Sequence, residues 1–220
     1  MLVALPFCFS CKGMYDNIEE YTGEKVYPAK FDTIVGHIGY ERVEIDLMKA
    51  GRIPSKDMNL GKATKTVIEY ENKQIIIDSL VSWVNIKELK AAKLYRIKIY
   101  TLDDYGNKSV PLETALIPFT ESDRASLVVQ SPRILSSPTS SVLDWPSGLS
   151  SILLDYKSLS YSYTDASGKE QKGERGANPR IFLANLPPGQ AVEVQINYNI
   201  TPKVNGTAIL DSIIFEQRLT

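Results

Sequence analysis

Apolar residues alternate with polar ones along several segments, and one such pattern occurs twice in the chain. Alternation with a period of two is typical of a β-strand that has one buried face and one face in water. The equivalent positions are 97 residues apart: Ile86 and Leu183, Leu89 and Leu186, Tyr95 and Val192, Ile97 and Val194, and Ile99 and Ile196. This distance is the size of one small β-sandwich domain, so the repeat predicts two similar domains.

The segment Asn85–Ile99 also fits one face of a helix, and its lysine, glutamate and alanine residues favour helix. The second copy decides between the two interpretations. There, Pro187-Pro188-Gly189 occupies the positions of Lys90-Ala91-Ala92. Proline has no N–H and its ring clashes with the preceding turn of a helix. Both copies are therefore predicted to be a strand, a corner and a second strand.

Further strand-like runs and turns support an all-β fold. The runs are Val43–Leu47, Thr64–Tyr70, Ile75–Asp78, Leu127–Gln130, Val142–Trp145, Leu159–Tyr163 and Ile209–Phe215. The turns are Asp104–Asn107, Ser167-Gly168, Pro187–Gly189 and Asn205-Gly206. We expect two tandem β-sandwiches over residues 27–120 and 123–220, which meet in the polar stretch 120–125.

The amino terminus carries the strongest signal about location. Leu2–Ser10 is uncharged and almost wholly apolar, and Cys11 follows a small residue. The run is too short to span a membrane and reads as the core of a secretory signal. The positively charged residues that normally open a signal are missing, so we expect this signal, residues 1–10, to be truncated at its start. Cys8 is a poorer lipid-attachment residue because Phe7 precedes it, and the alternative to a signal is a hydrophobic first strand that buries both cysteines.

This stretch resembles the signal of a bacterial lipoprotein, which implies that Cys11 becomes the acylated first residue of the mature protein. Residues 11–26 are polar and have no hydrophobic period, so they predict a lipidated tether. Several acyl chains would attach such a protein to a membrane far better than one. In surface lipoproteins of Bacteroidetes-like bacteria, acidic residues often follow the cysteine, and Asp16 with Glu19-Glu20 resembles that pattern.

Composition excludes two function classes. The chain has 25 basic and 26 acidic residues, and a net charge of −1 does not favour general binding to nucleic acid. With one histidine and two cysteines, a zinc site with three or more such ligands would have to include the first eleven residues. We therefore expect no metal and no cofactor.

The strand–corner–strand pattern resembles the E–F–G region of a fibronectin type III domain, which is a seven-stranded sandwich. The resemblance implies that Tyr95 is the corner tyrosine, with its hydroxyl bonded to backbone near Leu89. It also implies that Trp145 lies in the core of the second domain. Together with the amino terminus, the whole chain resembles an uncharacterised Bacteroidetes lipoprotein family with tandem fibronectin-like (immunoglobulin-like) domains, located at the outer membrane and facing the cell surface.

The search for catalytic groups gives weak candidates. His37 is the only histidine and lies between glycines, and no serine has a nucleophile-elbow setting. Asp103-Asp104 lies in a predicted hairpin turn, where aspartate bonds turn backbone more often than it binds calcium. Lys169–Arg175 mixes charges of both signs and is interpreted as a solvated loop.

Two tyrosines are the candidate ligand-binding residues. Tyr161 and Tyr163 share a strand face with Leu159, and Ser158, Ser160 and Ser162 occupy the other face. Exposed tyrosines at this spacing could stack on sugar rings, and the alternative is a core face with serines outside. The favoured function is a non-catalytic binding or accessory module for a glycan or protein partner at the cell surface. The alternatives are a carboxylate-dependent surface hydrolase and a spacer without a ligand.

Overall fold

The computed structural model describes residues 27–203, 207–208 and 211–220. The predicted signal, Cys11, the tether and the Asn205-Gly206 turn therefore lie outside the described residues.

The first half of the chain forms two antiparallel sheets that pack face to face. Its strands are β1 (Val35–Gly39), β2 (Arg42–Asp46), β3 (Lys65–Tyr70), β4 (Lys73–Ile77), β5 (Trp83–Ile86), β6 (Tyr95–Leu102) and β7 (Leu112–Leu116). One sheet contains β1, β2 and β5 in that order, and the other has the order β4-β3-β6-β7. Strand β6 alternates between buried and exposed residues over its first half, as its sequence predicts.

The second half repeats this arrangement after a short helix, α1 (Glu121–Ser126). Its strands are β8 (Arg133–Ser136), β9 (Ser140–Asp144), β10 (Leu154–Thr164), β11 (Glu170–Arg175), β12 (Arg180–Ala184), β13 (Val192–Ile200), β14 (Thr207–Ala208) and β15 (Ser212–Leu219). Strands β12, β9 and β8 form the three-stranded sheet, and the four-stranded sheet has the order β11-β10-β13-β15.

Each half therefore has its first, second and fifth strands in one sheet and four of its later strands in the other, which is the strand arrangement of a fibronectin type III-like sandwich. The additional strand of the second half, β14, pairs with β1 of the first half. The all-β prediction is confirmed, and so is the strand–corner–strand interpretation of residues 85–99. The repeat extends to the backbone, because Glu88 and Asn185, 97 residues apart, both adopt positive φ angles of 62° and 52°. A left-handed residue at the same corner in both copies accounts for the shared spacing of the flanking leucines.

Tyr95 and Trp145 are both buried as predicted, but the hydrogen bond predicted for Tyr95 differs. Tyr95 is 4% exposed and Trp145 is 3% exposed. The indole Nε1 of Trp145 donates a hydrogen bond to the carbonyl of Gln130 at 2.9 Å. The predicted corner hydrogen bond of Tyr95 is absent among the described residues: the N–H of Leu89 donates to the carbonyl of Glu41 instead. The Lys93 ammonium lies 5.4 Å from the centre of the Tyr95 ring.

Two local predictions were wrong. Residues 127–130 are not a strand, and the first strand of the second sandwich is β8, which starts at Arg133. Every residue of β8 is exposed. A strand without a buried face has no need of alternating apolar and polar residues, and that alternation is the signal by which strands are predicted. Lys169–Arg175 is not a loop, because residues 170–175 form β11, an edge strand that pairs with β10. Charged side chains are common on such edges because they prevent pairing with other chains.

The two sandwiches contact each other through α1, through β14 and through Asp211. A capping box between Thr120 and Asp123 starts the helix. Strand β14 pairs in parallel with β1 of the first sandwich, with His37 opposite Thr207. Beside it, Asp211 accepts hydrogen bonds from the Arg42 Nε at 2.9 Å and from the Tyr40 backbone N–H at 3.0 Å. We call this cluster of Tyr40, Arg42 and Asp211 the interdomain latch.

Candidate functional site

A polar groove crosses the outer face of the four-stranded sheet in the second sandwich. Ser160 and Ser162 on β10 form its floor, because their outward side chains are short. Lys172 and Glu174 on β11 form one wall, and Glu193 and Gln195 on β13 form the other. The register places Ser160 beside Glu174 and Gln195, and Ser162 beside Lys172 and Glu193. The groove holds about 500 Å³ and is open to solvent along its length. We call this feature the serine groove.

Three of the four wall side chains are held by neighbouring side chains, and the serines of the floor are not. Glu193 pairs with Arg218 at 3.4 Å, Gln195 donates to Glu216 at 3.1 Å, and Lys172 pairs with Glu170 at 3.0 Å. By contrast, the half-buried side chains of Ser160 and Ser162 make no hydrogen bond to another described residue. A hydroxyl can donate one hydrogen bond and accept two, so the floor offers bonding capacity to a polar ligand.

The two candidate tyrosines lie on the opposite face of β10 from the serines, as the alternation predicts. Tyr163 is 8% exposed, and its hydroxyl donates to the carbonyl of Ala184 at 3.1 Å. Burial raises the pKa of Tyr163. Its ring stacks with that of Tyr161 at a centroid distance of 6.5 Å and an interplanar angle of 16°. Tyr163 therefore belongs to the core face, which is the alternative to a tyrosine that stacks on sugar rings.

Tyr161 is half-buried and borders the serine groove. Its ring lies over Gly173, the residue paired with it on β11. A Cβ at Gly173 would lie 2.4 Å from the Tyr161 hydroxyl oxygen, so only glycine leaves room for the ring in this position. Gly173 thus has a packing role in the segment that its mixed charges predicted to be a solvated loop. The sequence pattern did not reveal the wall that β11 provides, because residues 170–175 are polar apart from Gly173 and show no alternation of apolar and polar side chains.

The weak catalytic candidates are engaged in structural contacts. His37 Nε2 lies 2.9 Å from Asp46 Oδ2, and Asp46 also accepts a hydrogen bond from Arg52 at 3.0 Å. Asp103 accepts hydrogen bonds from the N–H groups of Tyr105 and Asn107, and the side-chain bond from Asn107 lowers the pKa of Asp103. These contacts match the predicted turn role of the aspartate.

A second cleft, of about 310 Å³, lies at one end of the second sandwich between β8 and β15. Core side chains, among them Leu143, Leu183 and Val192, form its walls. It is a gap between the edges of the two sheets, and its few polar groups are mostly serines at the rim. The serine groove is the better candidate for a polar ligand.

The described residues contain no group of three or more histidine, cysteine, aspartate or glutamate side chains that could hold a metal ion. They also contain no helix that is long and apolar enough to cross a membrane.

The strand order of the two sandwiches defines a tandem fibronectin type III-like module. A family model, DUF4998, described as a domain of unknown function, matches residues 11–205, and the chain belongs to this family. No curated protein matches the chain.

Similar solved structures include the FN1–FN3 domains of chicken CNTN1, with 13% identity and a TM-score of 0.40 over 88% of this chain and 66% of that one. A two-domain fibronectin type III segment from chicken tenascin has 16% identity and a TM-score of 0.32, covering 88% of this chain and 98% of that one. The central fibronectin-III array of RIM-binding protein has 13% identity and a TM-score of 0.32, covering 89% and 70%. The chain thus spans just under two thirds of the CNTN1 structure, and the assignment of its fold rests on its own strand order.

Proposed function

We propose that this protein is a non-catalytic binding module that captures a glycan in the serine groove and is held at the outer membrane, facing the cell surface, by a lipid on Cys11. The observation that carries the proposal is the pair of hydroxyls of Ser160 and Ser162, which lie between polar and charged walls and make no hydrogen bond to another described residue. Half-buried hydroxyls without a protein partner favour a ligand that supplies many hydrogen bonds of its own.

A glycan suits the shape of this groove. Sugar hydroxyls both donate and accept, so they match carboxylate, amide, ammonium and hydroxyl groups in one groove. The groove is open at the surface, so it would admit an internal stretch of a polymer and not only its end. Its groups project from paired strands and not from loops, so little conformational freedom is lost when a ligand binds.

The predicted tether fits a role in display. The polar sequence of residues 11–26 would serve as the linker between an acylated Cys11 and the first sandwich. Many copies on one surface would raise the apparent affinity for a polymer through multivalency.

Binding to a glycan panel by the full chain with Cys11→Ala tests the groove. We expect Ser160→Ala/Ser162→Ala to weaken binding of the selected glycan about 30-fold, because two hydrogen bonds of about 1 kcal/mol each are lost. Thr164→Ala is the matched control, since Thr164 is exposed at the end of the same strand and does not line the groove. Equal losses in the control and the double variant, or no bound glycan in the panel, would reject the groove and favour a spacer.

Fractionation of cells tests the anchor separately. The unmodified chain should partition with membranes and carry acyl groups, and Cys11→Ala should be soluble and unacylated. Cys8→Ala is the control and should behave as the unmodified chain does. Membrane association that persists in Cys11→Ala would contradict the lipoprotein assignment without affecting the groove.

The hydrolase alternative has one observation in its favour, because Glu174 and Glu193 stand on opposite walls of the groove. They lie on strands two apart in the sheet and in adjacent outward rows. Strand spacing and rise place their backbones about 12 Å apart. Paired catalytic carboxyl groups need a separation of about 5–9.5 Å, which these side chains reach only by bending toward each other. Product release from the bound glycan that is lost in Glu174→Gln would establish the hydrolase instead.

A further inference from the structure

The outer face of the three-stranded sheet in the second sandwich carries an apolar row beside a charged row. Leu135 on β8, Val142 on β9 and Phe182 on β12 are paired across the sheet. Phe182 exposes 58% of its surface and Leu135 exposes 49%. No described residue covers this row. It lies on the opposite sheet from the serine groove and shares no residue with it.

The neighbouring row is Arg133, Asp144 and Arg180, again paired across the three strands. Arg180 donates from Nε and Nη2 to the two oxygens of Asp144, at 3.1 and 3.2 Å. These bonds lower the pKa of Asp144, which therefore stays ionised at neutral pH. Two guanidinium groups against one carboxylate leave a net charge of +1 on the row.

The guanidinium of Arg133 has hydrogen-bond donors that no described residue uses. Its Nη2 lies 4.0 Å from Asp144, beyond hydrogen-bonding distance, and its side chain is 62% exposed. It makes no hydrogen bond to another described residue. The planar fork of an arginine matches a carboxylate through two parallel bonds, so Arg133 is a ready anion-binding group. On Arg180, the Nη1 group also remains available.

We propose that this face binds an anionic sugar residue, a carboxylate-bearing pyranose, which rests on the apolar row and places its carboxylate on the guanidinium of Arg133, beside Arg180. The C–H face of a pyranose packs on an aromatic ring, and Phe182 presents that ring one row from the arginines. The row's positive charge selects an acidic sugar over a neutral one. We call this the anion face.

The size of the patch favours a sugar over a protein partner. Three strands of four or five residues present an area of about 10 by 14 Å. A stable protein interface buries about 800 Å² on each partner, several times this area. One or two sugar residues need far less surface. An acidic peptide remains a defined outcome of the test.

Calorimetric titration of the full chain with trigalacturonate tests the anion face, and the methyl ester of the same trisaccharide is the uncharged probe. We expect the ester to bind at least tenfold more weakly. Phe182→Ala and Arg133→Gln should each weaken trigalacturonate at least fivefold, and Arg133→Lys should restore only part of the loss, because lysine lacks the fork. Arg96→Gln and Tyr105→Ala, which alter an exposed arginine and an exposed aromatic residue of the first sandwich, should bind normally.

Three outcomes would overturn the proposal. The first is equal affinity for the acid and its ester, or for the variants and the controls. The second is binding of a hexaglutamate peptide that is as tight and as sensitive to both variants, which would assign the face to acidic peptides. The third is no binding of trigalacturonate, a glucuronate-containing oligosaccharide or a sialyl oligosaccharide at millimolar concentration. Ser160→Ala/Ser162→Ala should leave the binding intact, so failure of the serine groove and failure of the anion face are distinguishable.

Discussion

Replacing Asp211 should loosen the connection between the two sandwiches. Its carboxylate receives the Arg42 guanidinium through two nitrogens and the backbone N–H of Tyr40. Asp211→Asn keeps the shape of the side chain but removes its charge. One amide oxygen would then have to replace two carboxylate oxygens, and the amide N–H₂ would face the guanidinium.

The burial of the pair sets the expected magnitude. The side chains of Arg42 and Asp211 are 24% and 21% exposed, so solvent screens them only in part. Hydrogen bonds to charged groups contribute about 1.5–3 kcal/mol, and removing one partner of a fully buried pair costs about 3–5 kcal/mol. For this partly buried pair we expect a loss of about 2 kcal/mol. Glu44 continues to pair with Arg42, which limits the loss.

Urea unfolding is the suitable assay, because guanidinium chloride would itself screen the ion pair. Trp83 lies in the first sandwich and Trp145 in the second, so tryptophan fluorescence reports on both. The unmodified chain should unfold in one transition. In Asp211→Asn the transitions should separate, and X-ray scattering should show a wider distribution of domain orientations.

The matched control is Glu113→Gln, which removes an exposed strand pair with Lys98 whose side chains are 58% and 51% exposed. Such pairs contribute about 0–1 kcal/mol, so this variant should unfold nearly as the unmodified chain does. If Asp211→Asn matched this control in urea and its scattering profile were unchanged, the latch would not couple the domains.

The remaining predictions concern stability within each sandwich. Tyr163→Phe should lower the free energy of unfolding by about 0.5–1.5 kcal/mol, because it removes a hydrogen bond to backbone, and Tyr95→Phe should be close to neutral. Gly173→Ala should cost about 1–3 kcal/mol through the clash with the ring above it, and Gly176→Ala, which has no atom within 4 Å of its added Cβ, should not. Burial raises the pKa of Glu44, but hydrogen bonds from two arginines outweigh it and hold the pKa below 4.5, so stability should fall as pH drops below about 4.5. Glu44→Gln should flatten that part of the pH profile, and equal acid sensitivity in the variant would contradict the assignment.

The fold was predictable because its strands repeat, and the serine groove was predictable only in part. The alternation along β10 correctly separated Ser160 and Ser162 from Tyr161 and Tyr163. It could not show that the stretch after this strand returns as β11, because Gly173 has no side chain to mark the alternation. Edge strands are defined by their partner and not by burial, so sequence patterns identify them poorly.

The interdomain latch had no signal in the sequence at all. Arg42 and Asp211 are 169 residues apart. Arg42 lies among other charged residues of β2, whereas Asp211 is the only charged residue between Lys203 and Glu216. An ion pair between distant segments leaves no periodic pattern in a single sequence. The same holds for the row of Arg133, Asp144 and Arg180, which exists only because three strands align in one register.

The latch and the two proposed surfaces together suggest a division of roles between the sandwiches. The serine groove and the anion face lie on opposite sheets of the second sandwich, so one polymer could not lie flat on both at once. A chain that wrapped around the sandwich, or two chains, could occupy both. In either case a force that the bound polymer exerts on the second sandwich would be transmitted to the first sandwich through the latch and α1. If Asp211→Asn breaks the latch, the variant should therefore bind short oligosaccharides with unchanged affinity. When the variant is displayed on a membrane, it should retain less of a long polymer than the unmodified protein does. If short and long ligands were affected equally, the latch would act on the binding surfaces themselves and not on their orientation.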